Sequence, residues 1–117
     1  MSPRTDRPVS RRRALDRSAP VFAALGDATR LRMVATLSSG GAQSIAQLTA
    51  GTAITRQAVT KHLHVLAAAG LVRDLRQGRE RLWAFEPARL GEARQALEAI
   101  GADWDRALQR LKRFVES

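Results

Sequence analysis

Apolar residues along the chain keep two rhythms, a spacing of threes and fours before residue 70 and after Pro87, and a closer alternation between them. The first rhythm begins near Ala19, where Pro20 suits a first helical turn and Val21, Phe22 and Leu25 make a short apolar face that ends at Gly26. Asp27 then reads as an N-cap. The helix it opens runs to about Leu37, with Leu31, Met33, Val34 and Leu37 forming a face broad enough to be buried on more than one side, and Ser38, Ser39, Gly40 and Gly41 stop it.

Residues 44–72 read as a helix-turn-helix. Ile45, Ala46 and Leu48 predict a short helix, Gly51, Thr52 and Ala53 a turn, and Ile54 an apolar plug. Thr55 caps a second helix over 55–69, in which Val59, His62, Leu63 and Leu66 fall at i, i+3, i+4 and i+7 as one buried stripe. Gly70 suits the left-handed residue that ends such a helix. The opposite face carries Arg56, Gln57, Thr60, Lys61 and His64.

The closer alternation over 71–76 and 79–85 predicts two strands joined at Gln77-Gly78. A two-residue loop there sets Asp74 opposite Arg81 and Val72 opposite Trp83, an ion pair and an aliphatic-aromatic pair. From 88 to 115 the spacing is helical again, through Leu90, Ala93, Leu97, Ile100, Trp104, Leu108, Leu111 and Val115. Gly101 lies within that stripe and Asp103 could cap a new start, so one long helix and two joined at Gly101-Ala102 both remain open. The fold class expected is mainly α with a small β-hairpin.

Composition narrows the function. At 117 residues there is room for one domain, taken as residues 19–117, and the apolar runs are far too short to cross a bilayer. Lys and Arg total 20 against 11 acids, a net charge of +9 that favours a polyanionic partner. Residues 1–18 concentrate Arg4, Arg7, Arg11, Arg12, Arg13 and Arg17 with Pro3 and Pro8 and few large apolar side chains. They read as a flexible arm, either a solvated tail or a strand that tracks phosphate, and they lack the apolar core of a secretory signal, which predicts a cytoplasmic protein.

Short helix, turn, longer helix and hairpin is the order of a winged helix-turn-helix, whose second helix enters the major groove. Arg56 has the fork geometry for guanine and Gln57 the amide pattern for adenine, while Thr55, Thr60, Lys61 and His64 suit phosphates. The hairpin supplies Arg76, Arg79 and Arg81 as a wing along a minor groove or its phosphates. A merely solvated helix face is the plain alternative, and it is the coincidence of this face with the turn and the Arg-bearing hairpin that favours double-stranded DNA.

Three stretches carry a family resemblance. Leu25-Gly26-Asp27-Ala28-Thr29-Arg30-Leu31-Arg32, then Thr60-Lys61-His62-Leu63-His64-Val65-Leu66 with Ala69-Gly70-Leu71-Val72, and the wing Gly78-Arg79-Glu80-Arg81 together resemble the ArsR (arsenical-resistance repressor) family of small bacterial winged-helix regulators. The likeness spans about residues 19–87. It implies a homodimer that binds a near-palindromic operator and represses transcription until a signal intervenes, with the dimer built from the first and last helices. On this chain that implies Val21, Phe22 and Leu25 against Leu97, Ile100, Trp104, Leu108, Leu111 and Val115.

The resemblance breaks at the signal. Metal-sensing members use Cys, or His with carboxylates, and this chain has no Cys and only His62 and His64, two apart on one helix and so on opposite sides. His62 is expected at the core edge, hydrogen-bonded, and His64 solvated or facing phosphate. No metal, cofactor or membrane partner is expected, the effector is unspecified, and no catalytic triad, phosphate loop or ligand cluster points to an enzyme. The rival reading is a basic winged-helix module that binds nucleic acid without sequence preference or docks a protein.

Overall fold

The computed structural model describes residues 3–116, with side chains from Arg11 onward. Its elements run α1 (Pro3–Leu25), α2 (Ala28–Gly40), α3 (Ile45–Thr49), α4 (Arg56–Ala68), β1 (Val72–Gln77), β2 (Glu80–Phe85) and α5 (Pro87–Glu116). The mainly helical fold with one antiparallel hairpin is the one expected from the sequence.

The arm expected over 1–18 is corrected. Met1 and Ser2 lie outside the described residues, but from Pro3 onward the backbone is helical and continuous with the helix expected near Ala19, so Pro20 is interior rather than first-turn. The reason is tertiary. Ala14, Ser18, Val21 and Leu25 form a stripe at i, i+4, i+7 and i+11 that turns inward, with Ser18 and Val21 buried. Two cations of the supposed arm are held by the last helix, Arg11 by Asp103 and Arg17 by Glu92 at 3.6 Å. Small residues such as Ala14 and Ser18 give little hydrophobic signal, which is why composition misleads here.

Local chemistry explains the other boundaries. Asp27 caps α2, its carboxylate accepting from the Arg30 N–H at 3.0 Å. That bond holds the Asp27 carboxyl below the usual carboxylate range, reinforced by the charge of Arg30 and the nearby His62 and opposed by partial burial. A capping box opens α3. The Ser44 hydroxyl accepts from the Gln47 N–H at 3.1 Å and the Gln47 carbonyl oxygen accepts from the Ser44 N–H at 2.8 Å. Thr55 caps α4 by accepting from the Ala58 N–H.

The end of α4 is a Schellman turn. Leu71 N–H bonds back to Leu66 C=O at 2.9 Å and Gly70 N–H to Ala67 C=O at 3.0 Å, with Leu66 and Leu71 both fully buried. Gly70 has φ +78, and a Cβ there would stand 2.6 Å from Arg89 Cγ of α5. Both the backbone conformation and the packing of α5 therefore demand glycine.

The core gathers Val21 and Ala24 of α1, Met33, Val34 and Leu37 of α2, Leu48 of α3, Val59, Leu63 and Leu66 of α4, Leu71, Val72, Trp83 and Ala93. Leu31, expected among the buried residues of α2, is 52% exposed. The expected α2 face is thus narrower than its composition suggested, because the helix packs on one side only. Ile54 packs against the core as the plug.

The hairpin register is corrected by two residues. The turn is Gly78-Arg79, so Asp74 opposes Trp83, Val72 opposes Phe85, Arg76 opposes Arg81 and Gln77 opposes Glu80. Gly78 has φ +63 and no other residue of the turn has positive φ, the pattern of a type II′ turn, which wants glycine at its first central position. Asp74 and Arg81 still share a face, and as diagonal neighbours they form an ion pair at 3.1 Å. A two-way backbone bridge between Gln43 and Trp83, at 3.0 and 2.7 Å, anchors the hairpin to the α2–α3 loop.

The last helix is unbroken through Gly101, about 45 Å long at 1.5 Å per residue. Leu90 and Ala93 pack on the core, and beyond them the apolar stripe leaves the body of the domain.

Candidate nucleic-acid interface

The helix-turn-helix puts α4 at the surface with one face sealed. Val59, Leu63 and Leu66 are buried, so the helix cannot roll without exposing them, and its other face is fixed in place. On that outer face Arg56, Gln57, Thr60 and Lys61 surround an open hollow of about 480 Å³, with Ile45 at the start of α3 as its far wall. Among the described residues no acid lines the hollow, and Arg56 and Lys61 make no ion pair. Such a hollow presents two free cations and one amide to an anionic, hydrogen-bonding surface. Ile45 is the member sequence reasoning missed, and the signal was its place beside the Ser44 cap, one turn from buried Leu48.

The hydroxyls are partly occupied. Thr55 already accepts the Ala58 N–H, which leaves its proton available, whereas Thr60 donates its proton to the Arg56 carbonyl at 2.8 Å and keeps only acceptor capacity. Of the two, Thr55 is the better placed to donate to a phosphate. His64 is exposed but its ring lies 6.3 Å from that of Trp83, tilted by 58°, so it borders the wing root as well as solvent.

His62 is half-buried, with Nδ1 3.5 Å from an Arg30 guanidinium nitrogen. Arg30 also donates from Nε to the Ala24 carbonyl at 2.6 Å. One side chain thus ties the end of α1 and the start of α2 to α4, and His62 serves that clasp at the core edge.

The three wing arginines separate into two roles. Arg81 is engaged twice, by the Asp74 carboxylate and by stacking over the Trp83 ring at 4.9 Å, and so braces the root of the hairpin. Arg76, opposite Arg81 on the same face, and Arg79 at the turn make no ion pair among the described residues. On the reverse face Arg73 is held by Glu86 at 3.2 Å. Arg76 and Arg79 are therefore the free charges of the wing.

The residues implied for a dimer interface also separate. Val21 is sealed in the core of its own chain, and Phe22 and Leu25 are half-buried against that core. The stripe on α5 is free. Leu97, Ile100, Trp104, Leu108, Leu111 and Val115 are all exposed, Trp104 by 63% and Leu111 by 58%. Asp103, on the same helix, is held below the usual carboxylate range by its hydrogen bond to Arg11, with Arg106 adding to the effect and burial opposing it.

Comparison with known proteins agrees with this geometry. Residues 25–74 match the model of a helix-turn-helix domain family. The chain is 41% identical over 71 residues to YuzN, an uncharacterized HTH-type transcriptional regulator of Bacillus subtilis (strain 168), covering 56% of this chain and 77% of that one. An ArsR-like transcriptional regulator from Rhodococcus sp. RHA1 has a solved structure similar to this one, with a TM-score of 0.75, 39% identity, and 86% and 93% of the two chains covered. A possible ArsR-family regulator from Mycobacterium bovis, solved as a homodimeric winged helix-turn-helix DNA-binding domain, aligns with a TM-score of 0.59 at 25% identity over 88% of each chain. With a sealed α4, a wing closed at Gly78-Arg79 and relatives of this identity and coverage, the chain belongs to the ArsR-like family of winged helix-turn-helix transcriptional regulators.

Proposed function

We propose that the protein is a sequence-specific double-stranded DNA-binding regulator that acts in the cytoplasm as a homodimer and represses transcription from a near-palindromic operator. The observation that carries the DNA reading is the acid-free hollow on α4, where Arg56, Gln57 and Lys61 stand outward on a helix that cannot roll. Arg56 and Gln57 read base edges, Thr55 and Lys61 hold phosphates, and Arg76 and Arg79 lie along the backbone or in the flanking minor groove. Thr60, His64 and Arg81 play supporting parts at the edges of that surface.

The homodimer is supported by the exposed stripe of α5, a run of large apolar side chains of a kind that monomers seldom leave to water. The Mycobacterium bovis relative described as homodimeric supports the same assembly. Two copies related by a twofold axis would set their α4 helices against half-sites about 34–36 Å apart or a multiple of it. A pull-down of genomic fragments, followed by titration of the recovered duplex and a scrambled one at several salt concentrations, tests this directly. A steep salt slope with no preference between duplexes would instead identify an architectural binder.

A further inference from the structure

On the side of the helix-turn-helix formed by α2, α3 and the turn between α3 and α4 lies a second cavity, of about 470 Å³. Met33, Leu48 and Ile54 give it an apolar floor. Its polar lining pairs one cation and an amide with hydroxyls, of which Thr36 and Thr52 donate to the Arg32 and Thr49 carbonyls at 2.9 and 2.6 Å and keep acceptor capacity. Among the described residues Arg32 is the sole charged one there, and its guanidinium has no ion pair or hydrogen bond. Gln47 commits its carbonyl oxygen to the capping box, which leaves its NH₂, a pure donor, without a partner. Thr29 adds a hydroxyl that makes no hydrogen bond among the described residues.

A single unpaired cation, an unpartnered amide NH₂ and an apolar floor in a space of this size fit a small molecule with an anionic head and a greasy body. We propose that this cavity is a ligand site for an amphiphilic carboxylate, with Arg32 and the Gln47 amide holding the carboxylate and Met33, Leu48 and Ile54 receiving the apolar body. The site is separate from the α4 hollow and from the α5 stripe. Its walls include both helices of the helix-turn-helix, so an occupant bears on how α4 is held.

The test needs no DNA. The full chain labelled with ¹⁵N is titrated with 1-naphthoate and, in parallel, with 1-naphthamide, which has the same shape and no charge. Expected are amide shifts at Thr29, Met33, Leu48 and Thr52, and binding of the acid at least about tenfold tighter than the amide, the scale of one charge-assisted hydrogen bond. Arg32→Gln should weaken the acid by about tenfold and leave the amide unchanged, and Arg32→Lys should recover part of the loss. Ala53→Phe, at an exposed position on the cavity lip, should block both ligands while the remaining spectrum stays that of the wild type. Equal affinity for acid and amide, indifference to Arg32→Gln, shifts confined to α5, or no shifts at millimolar naphthoate would each overturn the proposal.

Discussion

Helices α4 and α5 each bury one side and show the other, but what they show is opposite in kind. The outer side of α4 is polar, and the outer side of α5 beyond Ala93 is a stripe of Leu, Ile, Trp and Val. A polar face is at ease in water and by itself asks for nothing. An apolar one of this length is uncovered at a cost in free energy, so it points to a partner on physical grounds alone. The DNA reading of α4 therefore needs its company, the sealed inner face, the neighbouring wing and the family relatives, whereas the dimer reading of α5 starts from the stripe itself.

The contrast predicts how substitutions divide. Leu63→Ala, at a fully buried position in α4, should destabilise folding by about 2–5 kcal/mol in denaturant titration, because it leaves a cavity in a close-packed core. Trp104→Ala on α5 should instead spare the monomer's fold and weaken self-association by about 2 kcal/mol or more, read by sedimentation at several concentrations. If the two variants lost folding stability alike, the stripe would be part of the core and the contrast would fail.

Smaller effects sharpen the polar side. Arg56→Ala should cost about 1–3 kcal/mol on the operator and much less on random duplex, and equal losses on both would reduce Arg56 to a phosphate contact. The least effect is expected at Asp27. Its carboxyl is held below the ordinary range in the folded state, so the folded protein takes up that proton less readily than the unfolded chain. The stabilisation is present above the ordinary carboxylate range and is lost as pH falls through the lowered value. Asp27→Asn keeps a capping oxygen, so melting temperature measured from neutral to acid pH should fall less steeply than in the wild type, and matching slopes would remove the cap's charge from the account.

Much of this was legible because it is local. The Asp27 and Thr55 caps, the Val59-Leu63-Leu66 stripe and the glycine at position 70 are dictated by neighbours within one or two turns, and they stand where the sequence predicts. The hairpin was foreseen but its register was not, since choosing Gln77-Gly78 over Gly78-Arg79 depends on which central position needs positive φ. The helix over 3–18 was illegible for a different reason. It rests on Ala14 standing beside Ala96 and Ala99 of α5 and on Arg11 and Arg17 finding Asp103 and Glu92, contacts distant in sequence. At the interface, residue type identified the cations but not their engagements, and only the fold distinguishes Arg81, bound to Asp74 and Trp83, from Arg76 and Arg79.

The chain's two tryptophans stand on the wing and on the last helix, and that gives the protein a built-in optical readout. Trp83 is buried at the wing root, with the Arg81 guanidinium over its ring and the His64 ring 6.3 Å away, and Trp104 stands in solvent on α5. The first indole is therefore expected to emit to the blue of the second, which is read by comparing the spectra of Trp83→Phe and Trp104→Phe. Pairing of α5 helices would shift the emission of Trp104 to the blue, while movement of the wing would alter the brightness of Trp83, so assembly and docking write to different properties of one spectrum.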